Sequence, residues 1–221
     1  MAIASNGATD QALLISYLTL RKIVGLLGAA LPFVVSLGAA ALFQQGLQAS
    51  ISAYYYTGTR DVFVGMLWAI GIFLLSYRGY QAKDSIAGDV ASVCAIGIAL
   101  FPTTPPDAPQ TTGSGAVHLV FATVFFLTLA YFSLFLFTKT NQPKPTARKL
   151  QRNKVYRACG LAILACLALI LVDAVLPDDL ANSLRRLEPR FWLESIAIVA
   201  FGISWLTKGE AILADEKSPS A

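Results

Sequence analysis

AVHLVFATVFFLTLAYFSLFLFT, residues 116–138, decides the fold. Its 23 residues include no Asp, Glu, Lys or Arg, and one histidine near the start. A surface helix of this length in a soluble protein would turn a polar face to water. A run apolar on all sides, and longer than roughly 20 residues, suits the hydrocarbon layer of a bilayer instead. Residues 116–138 therefore read as a membrane-spanning helix.

Working outward from that stretch, five others approach the same pattern: 23–44, 62–80, 86–101, 155–176 and 191–207. Hydrophobic residues make up 56% of the chain, charged ones 14%, and mean hydropathy is +0.61. A soluble domain of 221 residues would need far more charge to cover its surface. The expected fold is all-α, a single integral membrane domain over 1–221 built as a bundle of six transmembrane helices. The runs at 86–101 and 191–207 are short, and are expected to recruit flanking residues or lie inside the bundle. Residues 12–20 read as the ragged start of the first span rather than a separate interfacial helix. The first ten residues have no Lys or Arg and do not read as a secretory signal.

The net charge is +4 and the pI near 9.0, but the distribution of the charge says more. With six spans, Arg60, Arg185, Arg186 and Arg190 fall on one side, and the other thirteen of the 17 basic residues share a side with both termini. The positive-inside rule then puts both termini in the cytoplasm. The expected location is a bacterial inner membrane, with membrane lipids as partners and homo-oligomers possible. Nucleic acid is not among the expected partners. Residues 139–154 form a basic cytoplasmic loop, each charge contributing on the order of 1 kcal/mol near an anionic lipid surface.

Residues 101–115 include four prolines and four threonines, and read as an irregular outer loop placed as a lid. Residues 178–187 read as a short surface helix, started by Asp178 or Asp179. Cys94, Cys159 and Cys166 fall inside spans and read as small packing residues. Runs such as GLLGAA and ACGLAILAC allow close helix approach in lipid.

The stretch SISAYYYTGTRDVFVG, residues 50–65, places Arg60 and Asp61 at the outer threshold of the second span. Threading the other helices brings His118, Asp173 and Glu194 to a similar height, with Gln44, Gln45, Gln48, Thr103 and Thr104. Ionisable groups at membrane depth are costly and tend to face the bundle interior and pair. One polar pocket under the outer face is the leading expectation. There Arg60 and Arg190 would meet an anion, while Asp61, His118, Asp173 and Glu194 orient it or carry a proton. Tyr54, Tyr55 and Tyr56 read as an interface belt or as ligand-stacking rings, and Trp192 and Trp205 as interface residues. Structural ion pairs and dipole-complementing acids are the competing reading. That reading suits Asp61, partly Glu194, and His118 as a satisfied amphipathic residue near an interface, but not Asp173 in a last turn. At the inner face Arg78, Lys83, Asp84, Asp89, Lys208 and Glu210 read as anchoring, with Asp89 paired to a base.

No nucleophile-elbow, Walker, HExxH or dinucleotide motif occurs, and the single histidine excludes a many-histidine haem or di-iron site. Ser50 or Ser52 with His118 and Asp61 are the parts available for serine chemistry. Asp61, His118 and Glu194 are the candidate metal ligands. No cofactor is expected, with zinc the alternative.

SISAYYYTGTRDVFVG, ALFPTTP, VHLVFATVFF and FWLESIAIVAFGISWLTKG together resemble a family of uncharacterised bacterial multi-pass proteins near the DRAM/Sfk-type six-span group. That resemblance implies architecture and no reaction. The SAYYY…D run and the later VH are similar to the pattern of the CREST membrane hydrolases, which implies roles for Ser52, Asp61 and His118. Tyr56 stands where that pattern has a histidine, and the final His-x-x-x-His is replaced by a span carrying Glu194. The expected function is therefore binding of a lipid headgroup or small solute in the outer pocket. A CREST-like lipid hydrolase using Asp61, His118 and Glu194 is the alternative. A small-molecule transporter ranks last, because the span centres are nearly all apolar.

Overall fold

The computed structural model describes residues 5–77, 82–108, 110–140, 143–177 and 186–214. Side chains are described except at 5–16 and 82–83. Arg78, Asp178, Asp179, Arg185, Lys217, the Lys83 side chain and most of the helix expected at 178–187 lie outside that description.

All regular structure among the described residues is helical. Six α-helices lie among the described residues: α1 Ser5–Phe43, α2 Arg60–Leu75, α3 Ala82–Leu100, α4 Gly113–Tyr131, α5 Ala147–Val175 and α6 Pro189–Lys208. A short 3-10 helix, Ser52–Tyr56, precedes α2, and a π-helical turn, Phe132–Leu136, continues α4. Among the described residues, four helical stretches are long and apolar enough to cross a membrane: Tyr17–Phe43, Gly113–Leu136, Ala147–Val175 and Pro189–Lys208.

The other two expected spans fall short for separate reasons. Helix α2 has 16 residues, so at 1.5 Å per residue it is about 24 Å long, against a hydrocarbon layer of about 30 Å. Helix α3 carries Lys83, Asp84 and Asp89 in its first half. Helix α1 is continuous from Ser5, so 12–20 is the start of the first span, as expected. One boundary differs from expectation. Helix α5 begins at Ala147, so the second half of the basic loop is already helix. Thr146 explains that start, because its side chain caps the helix by accepting from the Lys149 N–H at 3.1 Å. The ARKLQRNK segment that follows is rich in strong helix formers.

Glycines show how the helices pack. A Cβ on Gly25 of α1 would meet the Leu206 nitrogen of α6 at 2.7 Å, and one on Gly202 would meet the Ala29 nitrogen at 2.6 Å. The middle of α1 therefore lies against the end of α6, backbone to backbone. Similar close approaches join the end of α2 to the start of α3 (Gly88 and Leu74) and the end of α3 to the start of α4 (Gly97 and Phe121). Another joins the end of α4 to α5 (Leu134 and Gly160). Successive helices run antiparallel as an up-down ring, and α6 closes it by packing on both α1 and α5.

One end of the ring is knotted by aromatics. The Trp205 ring lies 5.2–5.6 Å from Tyr77, Phe132 and Phe137, between the ends of α2, α4 and α6. Trp205 is 1% exposed, so it is a core residue and not the interface residue expected. The same end holds the ion pairs Lys139–Asp84 and Arg152–Glu210. Asp84, 1% exposed, pairs with a base here, and Asp89 is half-buried. Cys94, Cys159 and Cys166 are buried free thiols.

Candidate functional site

The opposite end of the ring is formed by the α1–α2 and α3–α4 connections. Helix α1 stops where Gln44 turns left-handed, with φ of 54°. Thirteen residues later the chain doubles back past it: the Gln45 side-chain oxygen accepts from the Gly58 N–H at 2.8 Å. Gly58 faces the Phe43 ring so closely that a Cβ would overlap it at 2.3 Å. Only glycine allows that crossing. Thr59 then ties the loop to α1 by donating to the Val35 carbonyl at 3.2 Å.

Inside this connection the 3-10 helix Ser52–Tyr56 is gripped by three other elements. Glu194 of α6 accepts from the Ile51 N–H at 2.7 Å, satisfying a donor that begins the helix. His118 of α4 bonds Ser52: the Nε2–Oγ distance is 2.9 Å. Tyr56 donates its hydroxyl to the Thr103 carbonyl of the α3–α4 loop. The helix is therefore fixed by side chains far apart in sequence.

His118 is 4% exposed, and its other nitrogen, Nδ1, lies 2.7 Å from the Phe101 carbonyl. A carbonyl has no proton to give, so Nδ1 carries the hydrogen and donates. In the neutral ring Nε2 then holds the lone pair, and the Ser52 hydroxyl is its donor. This tautomer is assigned from the partners.

The remaining candidates make other contacts. Asp61 is exposed in the first turn of α2. Arg60, also exposed, lies over the Tyr55 ring at 4.4 Å and donates to its hydroxyl at 2.8 Å. Arg190 donates to Asp173 at 2.6 Å, joining the ends of α5 and α6 in a half-exposed ion pair. Ser50 accepts from the Ala53 N–H at 3.1 Å. Among the residues expected in one pocket, Ser52 meets His118, Glu194 holds the Ile51 N–H, Asp173 pairs with Arg190, and Arg60 with Tyr55. Asp61, His118 and Glu194 do not converge, and among the described residues no three His, Cys, Asp or Glu side chains form a metal-binding group.

Tyr54 is fully buried, its ring 6.1 Å from Phe191. Burial pushes its phenol above the usual range, against a smaller opposite effect of the Gln48 N–H bonded to it. Tyr54 also lines a feature the sequence does not disclose. Helices α1 and α5 flank α6 and leave a groove of about 830 Å³ over it. Pro32, Phe33 and Leu37 of α1 form one wall and Ala158, Cys159 and Ala162 of α5 the other. The α6 floor is Ile196, Val199 and Ile203, and Gln45, Tyr54 and Trp192 lie at the loop end. No periodicity in one helix announces such a groove, because it depends on which helices fail to touch.

No known protein family, curated protein or solved structure matches this chain.

Proposed function

We propose that this chain is a six-span protein of a bacterial inner membrane, with both termini cytoplasmic, that binds an amphiphilic lipid. The lipid's acyl chain fills the groove between α1 and α5, and its headgroup lies at the outer end beside Gln45 and Trp192. The single observation that carries this reading is the polarity of the groove. Its walls are apolar along the helices apart from Ser36 and Ser195, whose hydroxyls bond carbonyls of their own helices, and the Gln45 amide and Trp192 indole lie at one end. Its volume also falls within the roughly 300–1,000 Å³ typical of ligand sites. The Arg190–Asp173 pair, which joins α6 to α5 at the same end, offers charge to a headgroup. In this reading α2 and α3 cross as short members of the ring, and the alternating run of six returns the chain to its starting side.

The test is native mass spectrometry of the chain released from nanodiscs of phosphatidylethanolamine and phosphatidylglycerol. The expected result is one retained phospholipid per chain, lost in Ala162→Trp, which fills the groove. A bare monomer mass in the unmodified protein would overturn the reading. A lipid-free dimer mass would put a second copy in the groove instead.

A further inference from the structure

The contact between Ser52 and His118 has a chemistry that lipid binding does not use. We propose that the two form a nucleophile–base pair that transfers the acyl group of a carboxylic ester to water. The pair contains the geometric parts of an activated serine. The hydroxyl lies 2.9 Å from Nε2, and the ring is oriented by a third group, the Phe101 carbonyl, at 2.7 Å from Nδ1. That carbonyl fixes the tautomer in which Nε2 is free to take the serine proton. Asp61, the acid that sequence places in the set, is exposed and does not orient the ring.

The nucleophile is also held rigidly, as a reacting group must be. Glu194 fixes the amide before it, and Tyr56 fixes the far end of the same short helix on Thr103. These two are positioning residues. Ser52 is half-buried and lies four residues from the exposed ring of Tyr56, at the loop end of the bundle. In the proposed orientation that end is the outer headgroup boundary, where the ester bonds of membrane lipids lie, so the substrate class is an ester of an amphiphile.

The steps balance without a metal. The Ser52 oxygen bonds to the ester carbonyl carbon as its proton passes to His118 Nε2. The carbon–alkoxy bond then breaks, and Nε2 returns that proton to the leaving alcohol. Water attacks the acyl-serine by the same route, releasing the acid and restoring the hydroxyl.

The experiment treats the full chain in nanodiscs with a fluorescent fluorophosphonate and maps the labelled peptide. Labelling is expected at Ser52. It should be absent in Ser52→Ala and unchanged in Ser50→Ala and Asp61→Asn. His118→Gln is the decisive variant, because an amide can still donate to Phe101 and accept from Ser52 but cannot act as a base. Its labelling rate should fall at least about 100-fold, the low end for a general base, with the melting temperature nearly unchanged. An unlabelled wild-type protein, or a His118→Gln variant that labels at the wild-type rate, would overturn the proposal. Neither result bears on lipid retention in the groove.

Discussion

At the scale of the residue, Glu194 shows why depth in a membrane is not the same as function. Sequence places it one turn into the last helix, and the structure gives it a partner: the first N–H of a 3-10 helix from another part of the chain. Removing the carboxylate leaves that buried donor without an acceptor, at a cost of about 1–3 kcal/mol. Glu194→Ala is therefore expected to lower the melting temperature, by about 2–4 °C per kcal/mol for a chain of this size. Glu194→Gln keeps an acceptor oxygen and should recover most of the loss. Equal melting of all three proteins would mean that the loop does not depend on this bond. The height of Glu194 and His118 was legible because both lie near helix ends set by hydropathy. Sequence offered Ser50 and Ser52 alike, with Asp61, as partners of His118; that Ser52 is the one that meets it, across 66 residues, and that Glu194 holds the neighbouring Ile51 N–H, was not legible.

At the scale of the element, the α1–α6 crossing is where small residues matter most. Gly202 faces backbone atoms of α1, the Ala29 nitrogen at 2.6 Å and the Gly25 carbonyl at 2.7 Å, and backbone cannot yield as a side chain does. Gly202→Ala is expected to force the helices apart, costing about 1–3 kcal/mol as overpacking does. Gly65 in α2 has open space where a Cβ would go. Gly65→Ala should be neutral, or stabilising by up to about 1 kcal/mol through helix propensity. Thermal melts in one detergent compare them, and equal destabilisation by both would remove the close-crossing explanation. Sequence announced that small residues cluster, as in GLLGAA. It did not say which faced a neighbouring backbone and which faced open space.

For the molecule as a whole, topology is the property to measure. The ring of antiparallel helices fits six crossings, yet α2 is short and α3 carries three charged residues in its first half. Single cysteines at Ala49, Ser76 and Thr146, in a chain whose native cysteines are replaced, report on it in intact cells. A membrane-impermeant maleimide is expected to label Ala49→Cys and neither of the others. Labelling of Ser76→Cys from outside would show that α2 turns back without crossing, and the six-span topology would fall.

The sequence by itself determined the solvent of this protein and the place of its main apolar helices, though not where α1 and α5 begin. Both follow from summed hydropathy, a local property that reads the same in any arrangement. It also set the heights of the polar side chains, since rise per residue is fixed along a helix. Only the tertiary structure decided lateral neighbours. Asp84 rather than Asp89 is the fully buried acid, Trp205 lies in the core, and Ser52 meets His118 while Asp61 does not. Those outcomes depend on the rotation of each helix about its axis and on the order of the ring. Both are set by backbone approach at a few glycines and by one strained turn at Gln44. The groove belongs to the same class, being the space left where α1 and α5 each pack on α6.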